Sequence, residues 1–503
     1  VTETAYRALE RRFSRVSAIG DALGILQWDA ETTMPAGSAE GRSEQLATLK
    51  VLAHELLTDP SVADLLDRAE EETRLGGPAP AWEAANLREM RRAWVHAAAV
   101  PAELVEAGSR AVSRCEMAWR EARPAADFAL LRPSLEEVLA LQREIAAAKA
   151  SALGLSPYDA LLDAHEPGGR AARIDALFAE LEAFLPDLLG RALEVQAGRP
   201  AALVPEGPFP VERQRALGER MMRVLGFDFE RGRLDVSLHP FCGGATEDVR
   251  LTTRYDERDF TGALMGVLHE TGHALYEQGR PRAWAGQPVG EARGMGLHES
   301  QSLLFEMEAC RSRAFLDFAA PLMAEAFGAS GPAWEAENLH RLYTRVEAGL
   351  VRVDADEVTY PAHVILRYRI ERDLISGALA LADLPSAWNE GMRRLLGIVP
   401  PDDRLGCLQD VHWPGGAWGY FPTYTLGAMA AAQLFAAAIE DEPDTMPGIA
   451  HGDFGPLVGW LRAKVHGRAS LHPDTDSLLA EATGRPLDCA AYRRHLERRY
   501  LEG

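Results

Sequence analysis

Apolar residues recur at steps of three and four along almost the whole chain, a period that commits it to helices before any other feature is read. Leu46, Leu49, Leu52 and Leu56 follow it, as do Leu135, Val138, Leu141, Ile145 and Ala148. Segments 133–153 and 174–197 are rich in Ala, Leu, Glu and Arg, which favour helix intrinsically. Gly76-Gly77-Pro78, Pro167-Gly168-Gly169 and Ser330-Gly331-Pro332 punctuate helices without separating blocks of different composition. At 503 residues the chain has the length of about three average domains, yet no linker, repeat or low-complexity run divides it. The expectation is one mainly α domain over 1–503, in two helical lobes.

One region breaks the period. Leu234, Val236 and Leu238 alternate with Asp235 and Ser237, and Val249, Leu251, Thr253 and Tyr255 alternate with polar neighbours, with Gly243-Gly244 between them. Alternation of this kind reads as a β-hairpin with a moderately long connection. It closely precedes the strongest chemical motif, so a strand beside an active site is expected.

Composition removes several classes of function. Acidic residues outnumber basic ones, 75 to 53, for a net charge of −22. That excludes nucleic acid and anionic membrane as main partners, which need a basic face. The stretch 413–439 carries no formal charge but contains Pro414, Pro422 and many Gly and Ala residues, so it reads as a buried helix rather than a membrane span. Five cysteines, far apart and without a CxxC pair, argue against a disulfide scaffold or a thiolate metal site. Together with a charged segment 1–16 that lacks an apolar run, they point to the cytoplasm.

The segment 260–279 reads FTGALMGVLHETGHALYEQG. Leu264, Val267, Leu268 and Leu275 give it an apolar helical face, and Gly279 reads as its C-terminal stop. Within it, His269 and His273 are four apart and so project side by side, able to bind one Zn2+ ion. Glu270 stands between them within reach of a water at that ion. Spacing leaves two candidates for a third ligand. Glu291 lies in a Gly- and Pro-rich loop, and Glu299 heads a helix-like run, which would hold it more rigidly.

Beyond this motif, an ordered series of short patterns spans nearly the whole chain. They are His239-Pro240-Phe241, Asp248-Val249-Arg250-Leu251-Thr252, His269–His273, His298-Glu299-Ser300-Gln301, Arg352 to Asp356, and Gln409-Asp410-Val411-His412-Trp413 followed by Gly419-Tyr420-Phe421-Pro422-Thr423-Tyr424. Earlier come Trp28-Asp29, Met34-Pro35 and Tyr158-Asp159-Ala160-Leu161-Leu162. In this series the chain resembles the Taq-type metallocarboxypeptidases, peptidase family M32, with Val351 where that pattern has Ile.

The resemblance implies a helical body with a deep groove between two halves, a homodimer, and removal of C-terminal residues from peptides that carry a free carboxylate. It selects Glu299 as third ligand to one divalent ion, Zn2+ or Co2+, and Glu270 as general base. His412 and Tyr420 become candidate oxyanion donors with Tyr424 behind them, simple packing being the other reading of both tyrosines. Arg352 and Arg250 become candidates for the substrate carboxylate, because the guanidinium fork can hold both oxygens. His239 could line the substrate site or serve structure alone. Asp248 and Asp356 could orient these arginines or a ligand imidazole. An endopeptidase or dipeptidase of related fold, with the same metal centre and no carboxylate clamp, is the alternative. A metal-holding scaffold would have no use for Glu270.

Overall fold

The computed structural model describes residues 3–76 and 80–502. Gly77 and Pro78 of the expected break at Gly76-Gly77-Pro78 lie outside the described residues. Among the described residues the helical period is realised as twenty α-helices. The predicted helix over 133–153 starts earlier, at Phe128, where the Asp127 side chain accepts from the Ala129 amide and caps the first turn. The one predicted over 174–197 starts at Ala171.

The helices that build the site are α1 (Ala5–Thr32), α2 (Pro157–His165), α3 (Thr261–Gly279), α4 (Met295–Leu303), α5 (Tyr360–Ser376) and α6 (Pro422–Asp441). Most of α6 is buried, as expected for the uncharged stretch, and among the described residues no helix is long and apolar enough to cross a membrane. Gly279 lies inside α3 and not just beyond its end, as the expected C-terminal stop would. It is the last helical residue, and a Cβ there would sit 2.6 Å from His466 Nδ1, so close packing of the helix end accounts for the glycine.

The alternating region forms a three-stranded sheet, β1 (Gly232–Val236), β2 (Cys242–Ala245) and β3 (Asp248–Thr253), in the order β1-β3-β2. The expected hairpin is corrected here. The two alternating strands do pair, but in parallel, with Leu234 opposite Leu251. The antiparallel partner of β3 is β2, joined to it by the short turn at Thr246-Glu247. Its sequence, Cys242-Gly243-Gly244-Ala245, has no apolar-polar alternation and so resembles a connection.

Apolar side chains gather in one large core and two satellites. One satellite joins α1 to its neighbours through Leu9, Phe13, Val62, Leu66 and Met90. The other packs Leu234, Val249 and Leu251 of the sheet against Val267 and Ala274 of α3. The sheet therefore backs the helix that carries the histidine motif.

Candidate metal centre

Helix α3 carries His269, His273 and Glu277 at successive intervals of four, on one face, with Glu270 beside them. Helix α4 crosses that face closely enough that a Cβ on Gly272 would lie 2.4 Å from the Gln301 carbonyl oxygen and 2.6 Å from the Ser302 Cα. Only glycine permits this approach, and the approach brings Glu299 to the histidines. After Leu303 the helix widens into a π-helical turn, Leu304–Ala309, in which the Cys310 amide bonds the Phe305 carbonyl at 2.8 Å. Such a turn shifts the side chains beyond it, and here it presents Glu306.

His269, His273 and Glu299 offer ligand atoms that lie within 4.8 Å of one another. His273 Nε2 and Glu299 Oε2 are 3.5 Å apart. Two ligands at about 2.1 Å in a tetrahedral shell would be separated by about 3.4 Å. Each imidazole is held from behind. His269 Nδ1 is 2.9 Å from Glu306 Oε2, and Glu306 in turn pairs with Arg311. His273 Nδ1 is 2.7 Å from His298 Nδ1, whose Nε2 is 2.9 Å from Glu277 Oε1. A proton on each Nδ1 satisfies both chains of contacts and leaves each Nε2 as the lone-pair donor, the arrangement found behind ligating imidazoles. The donor set therefore fits a divalent cation.

The charges argue the same way. Burial alone would lower the His269 imidazole, but the hydrogen bond to Glu306 and the charges of Glu299 and Glu270 outweigh it and lift the group to about 10. Burial pushes Glu270 up to about 7, the His269 charge drawing it down and Glu299 reinforcing the rise. An excess of carboxylate around two imidazoles is what a cation would neutralise.

A second group of side chains adjoins the first. Arg352, 7% exposed, donates from Nε and Nη2 to Asp410 Oδ1 at 3.1 and 2.9 Å, and its guanidinium lies 4.6 Å from the Tyr424 ring centre. Burial would raise the Glu299 carboxyl, but the hydrogen bond to His273 and the charges of His269, His273 and, least, Arg352 hold it below the ordinary range. His412 Nε2 is 2.9 Å from the Tyr424 hydroxyl, and burial lowers its imidazole to about 4, so it is neutral at pH 7. The Tyr420 and Tyr424 rings meet edge to face at 5.3 Å. Burial, the neighbouring Tyr424 and the charges of Glu299 and Glu270 all raise the Tyr420 phenol, which stays a hydrogen-bond donor.

Other expected residues stand elsewhere. Arg250 pairs with Asp248, its Nε 2.9 Å from Oδ2, and lies 4.5 Å from the Trp28 ring of α1. His239 is exposed in the β1–β2 connection. No hydrogen bond, ion pair or ring contact ties either side chain to the three ligand residues among the described residues. Glu291 lines a cavity of about 460 Å³ together with residues of α1 and β2 and with His298, and is not part of the ligand group. Asp356 is bound to the Val358 and Thr359 amides and so caps a turn, and the acid that orients Arg352 is Asp410. The sequence singles out neither Glu277 nor Glu306, and it presents His298 only within the His298-Glu299-Ser300-Gln301 pattern, without a role. Glu277 had a signal, four residues past His273 on the same face, and Glu306 lies seven past Glu299.

Comparison with known proteins agrees with this chemistry. The family model described as carboxypeptidase Taq (M32) metallopeptidase matches residues 8–500. Thermostable carboxypeptidase 1 of Thermus thermophilus is 40% identical over 508 residues, covering 99% of this chain and 98% of the relative. Among solved structures, Trypanosoma cruzi metallocarboxypeptidase 1 superposes with a TM-score of 0.96 at 44% identity, covering 99% of each chain. The M32 carboxypeptidase of Deinococcus radiodurans gives 0.92 at 36% identity, again over 99% of each chain. A motif series, a fold and a site that agree over the full length leave one conclusion: the chain belongs to the carboxypeptidase Taq (M32) family and is a metallocarboxypeptidase.

Proposed function

We propose that this enzyme removes residues successively from free peptide C-termini with broad specificity, as one catalytic domain over 1–503 whose two lobes face a central groove. The observation that carries the reading is the convergence of His269, His273 and Glu299 on one point beside Glu270. These three residues would hold a divalent cation, Zn2+ foremost and Co2+ as a compatible substitute, which would supply Lewis acidity and lower the pKa of water. Glu270 takes a proton from the attacking water and passes it to the leaving amine, a task its place beside the two histidines suits. His412 and Tyr420 donate to the developing oxyanion, with Tyr424 fixing the imidazole. Arg352, steadied by Asp410, pairs with the substrate carboxylate. Arg250 and His239 contact the rest of the peptide. The enzyme acts as a homodimer in the cytoplasm, a compartment that suits five unpaired cysteines.

Mass spectrometry of one peptide with free and with amidated C-terminus tests the reading. The free peptide should yield a ladder of single-residue losses and the amidated one should persist. Arg352→Met should raise KM for the free peptide by roughly tenfold or more, through loss of a charge-assisted pair. Internal cleavage, or equal turnover of the amidated peptide, would overturn it.

A further inference from the structure

Helix α5 presents His363, Arg367 and Glu371 at intervals of four on one buried face. Arg367 binds the beginning of the segment that bears His412 and Tyr420, donating to Asp410 Oδ2 and Gln409 Oε1 at 2.6 Å each. One turn further on, Glu371 binds both ends of the loop 413–419. The Trp413 indole N–H donates to its Oε2 and the Gly419 amide to its Oε1, each at 2.8 Å. Trp413 is the residue after His412, and Gly419 is the residue before Tyr420. A third donor, the Tyr158 hydroxyl of α2, reaches Oε1 at 2.8 Å.

The seat of this arrangement is the Tyr158-Asp159-Ala160-Leu161-Leu162 stretch, to which the reaction gives no part. Gly419 has φ 81°, and a Cβ on it would lie 2.8 Å from the backbone of Leu161 and Leu162. The His165 ring of the same helix meets the Tyr420 ring edge to face at 5.2 Å. Glu371 itself is fully buried, and three neutral donors act on its carboxyl, which burial pushes up to about 7. A charged group buried without a cation is costly unless its hydrogen bonds are complete, which ties its place in the fold to these three contacts.

We propose that Glu371 is a positioning residue of the peptidase reaction: by accepting from Trp413, Gly419 and Tyr158 it fixes the separation and aim of His412 and Tyr420. The proposal rests on the roles given to those two residues above. Glu371→Gln keeps the volume but replaces one acceptor oxygen with an amide nitrogen that faces another donor. In the metal-loaded enzyme kcat should fall roughly ten- to a hundredfold, the cost of a misplacement near 1 Å, while KM and metal content stay near wild type. Tyr158→Phe should lower kcat roughly threefold alone and add nothing in the Glu371→Gln background, because it acts through the same carboxyl. A residue serving only stability would move Tm and leave kcat of the folded enzyme intact, and that result overturns the proposal. If Glu371→Gln does not fold, Tyr158→Phe and Trp413→Phe decide the matter by the same kcat measurement. Tyr420→Phe and His412→Gln are assayed in parallel. Full kcat in both removes their catalytic roles and the clamp with them, whereas loss in both with full kcat in Glu371→Gln overturns the clamp alone.

Discussion

Replacing Glu306 by Gln should weaken metal binding from a position that touches no metal. Glu306 stands behind His269, with Oε2 2.9 Å from Nδ1, and the Arg311 guanidinium secures its other oxygen. A carboxylate in that position fixes the tautomer and raises the basicity of the Nε2 lone pair. Losing such a partner costs about ten- to a hundredfold in metal affinity, about 1.4 to 2.8 kcal/mol. The substitution also strips Arg311, 14% exposed, of its ion-pair partner, and a broken buried pair costs about 3 kcal/mol of fold stability. The two effects are separable. Arg311→Leu breaks the same pair but keeps the carboxylate on His269, so it should lower Tm while retaining most of the affinity. The assay is titration of metal-free protein against a chromophoric zinc chelator, with Tm measured on the same samples. Wild-type affinity in Glu306→Gln, or equal affinity loss in both variants, would refute the reasoning.

Gly272→Ala should destabilise the fold by about 1 to 3 kcal/mol and loosen the metal site, since its Cβ meets the backbone of Gln301 and Ser302, which cannot step aside; urea unfolding and chelator titration both report on it. Burial favours the neutral form of Glu357, but the Arg499 guanidinium and the His495 imidazole outweigh it and hold the carboxyl near 2, against an ordinary 4.5. A depressed acid contributes stability in full above about pH 5 and loses it as pH falls toward 2, so Glu357→Gln should flatten unfolding free energy against pH across that window. Asp410→Asn leaves the guanidinia of Arg352 and Arg367 without their shared carboxylate and should raise KM for free-carboxylate peptides as well as lower Tm; steady-state kinetics and calorimetry check the two halves.

The helical class was legible because burial against a core imposes the 3.6-residue period on the sequence, and the ligand pair was legible because two histidines four apart on such a helix have one geometric consequence. Glu299 is different. Its nearness to His273 depends on two helices crossing at Gly272, a tertiary contact for which spacing alone offered two candidates. The π-helical turn that delivers Glu306 has no period to read, and the pairing of Arg352 with Asp410 joins residues far apart in the chain. The sheet shows the same limit. Alternation located β1 and β3, but strand direction depends on a connection that folds Cys242–Ala245 in as a third strand.

Metal content per chain and C-terminal residue release, measured together on wild type, Glu270→Gln and Glu299→Ala, test the centre of this account. One equivalent of metal should be found in wild type and in Glu270→Gln, release should occur in wild type alone, and Glu299→Ala should lose both. Undiminished release by Glu270→Gln, or a full equivalent of metal tightly held by Glu299→Ala, would contradict it.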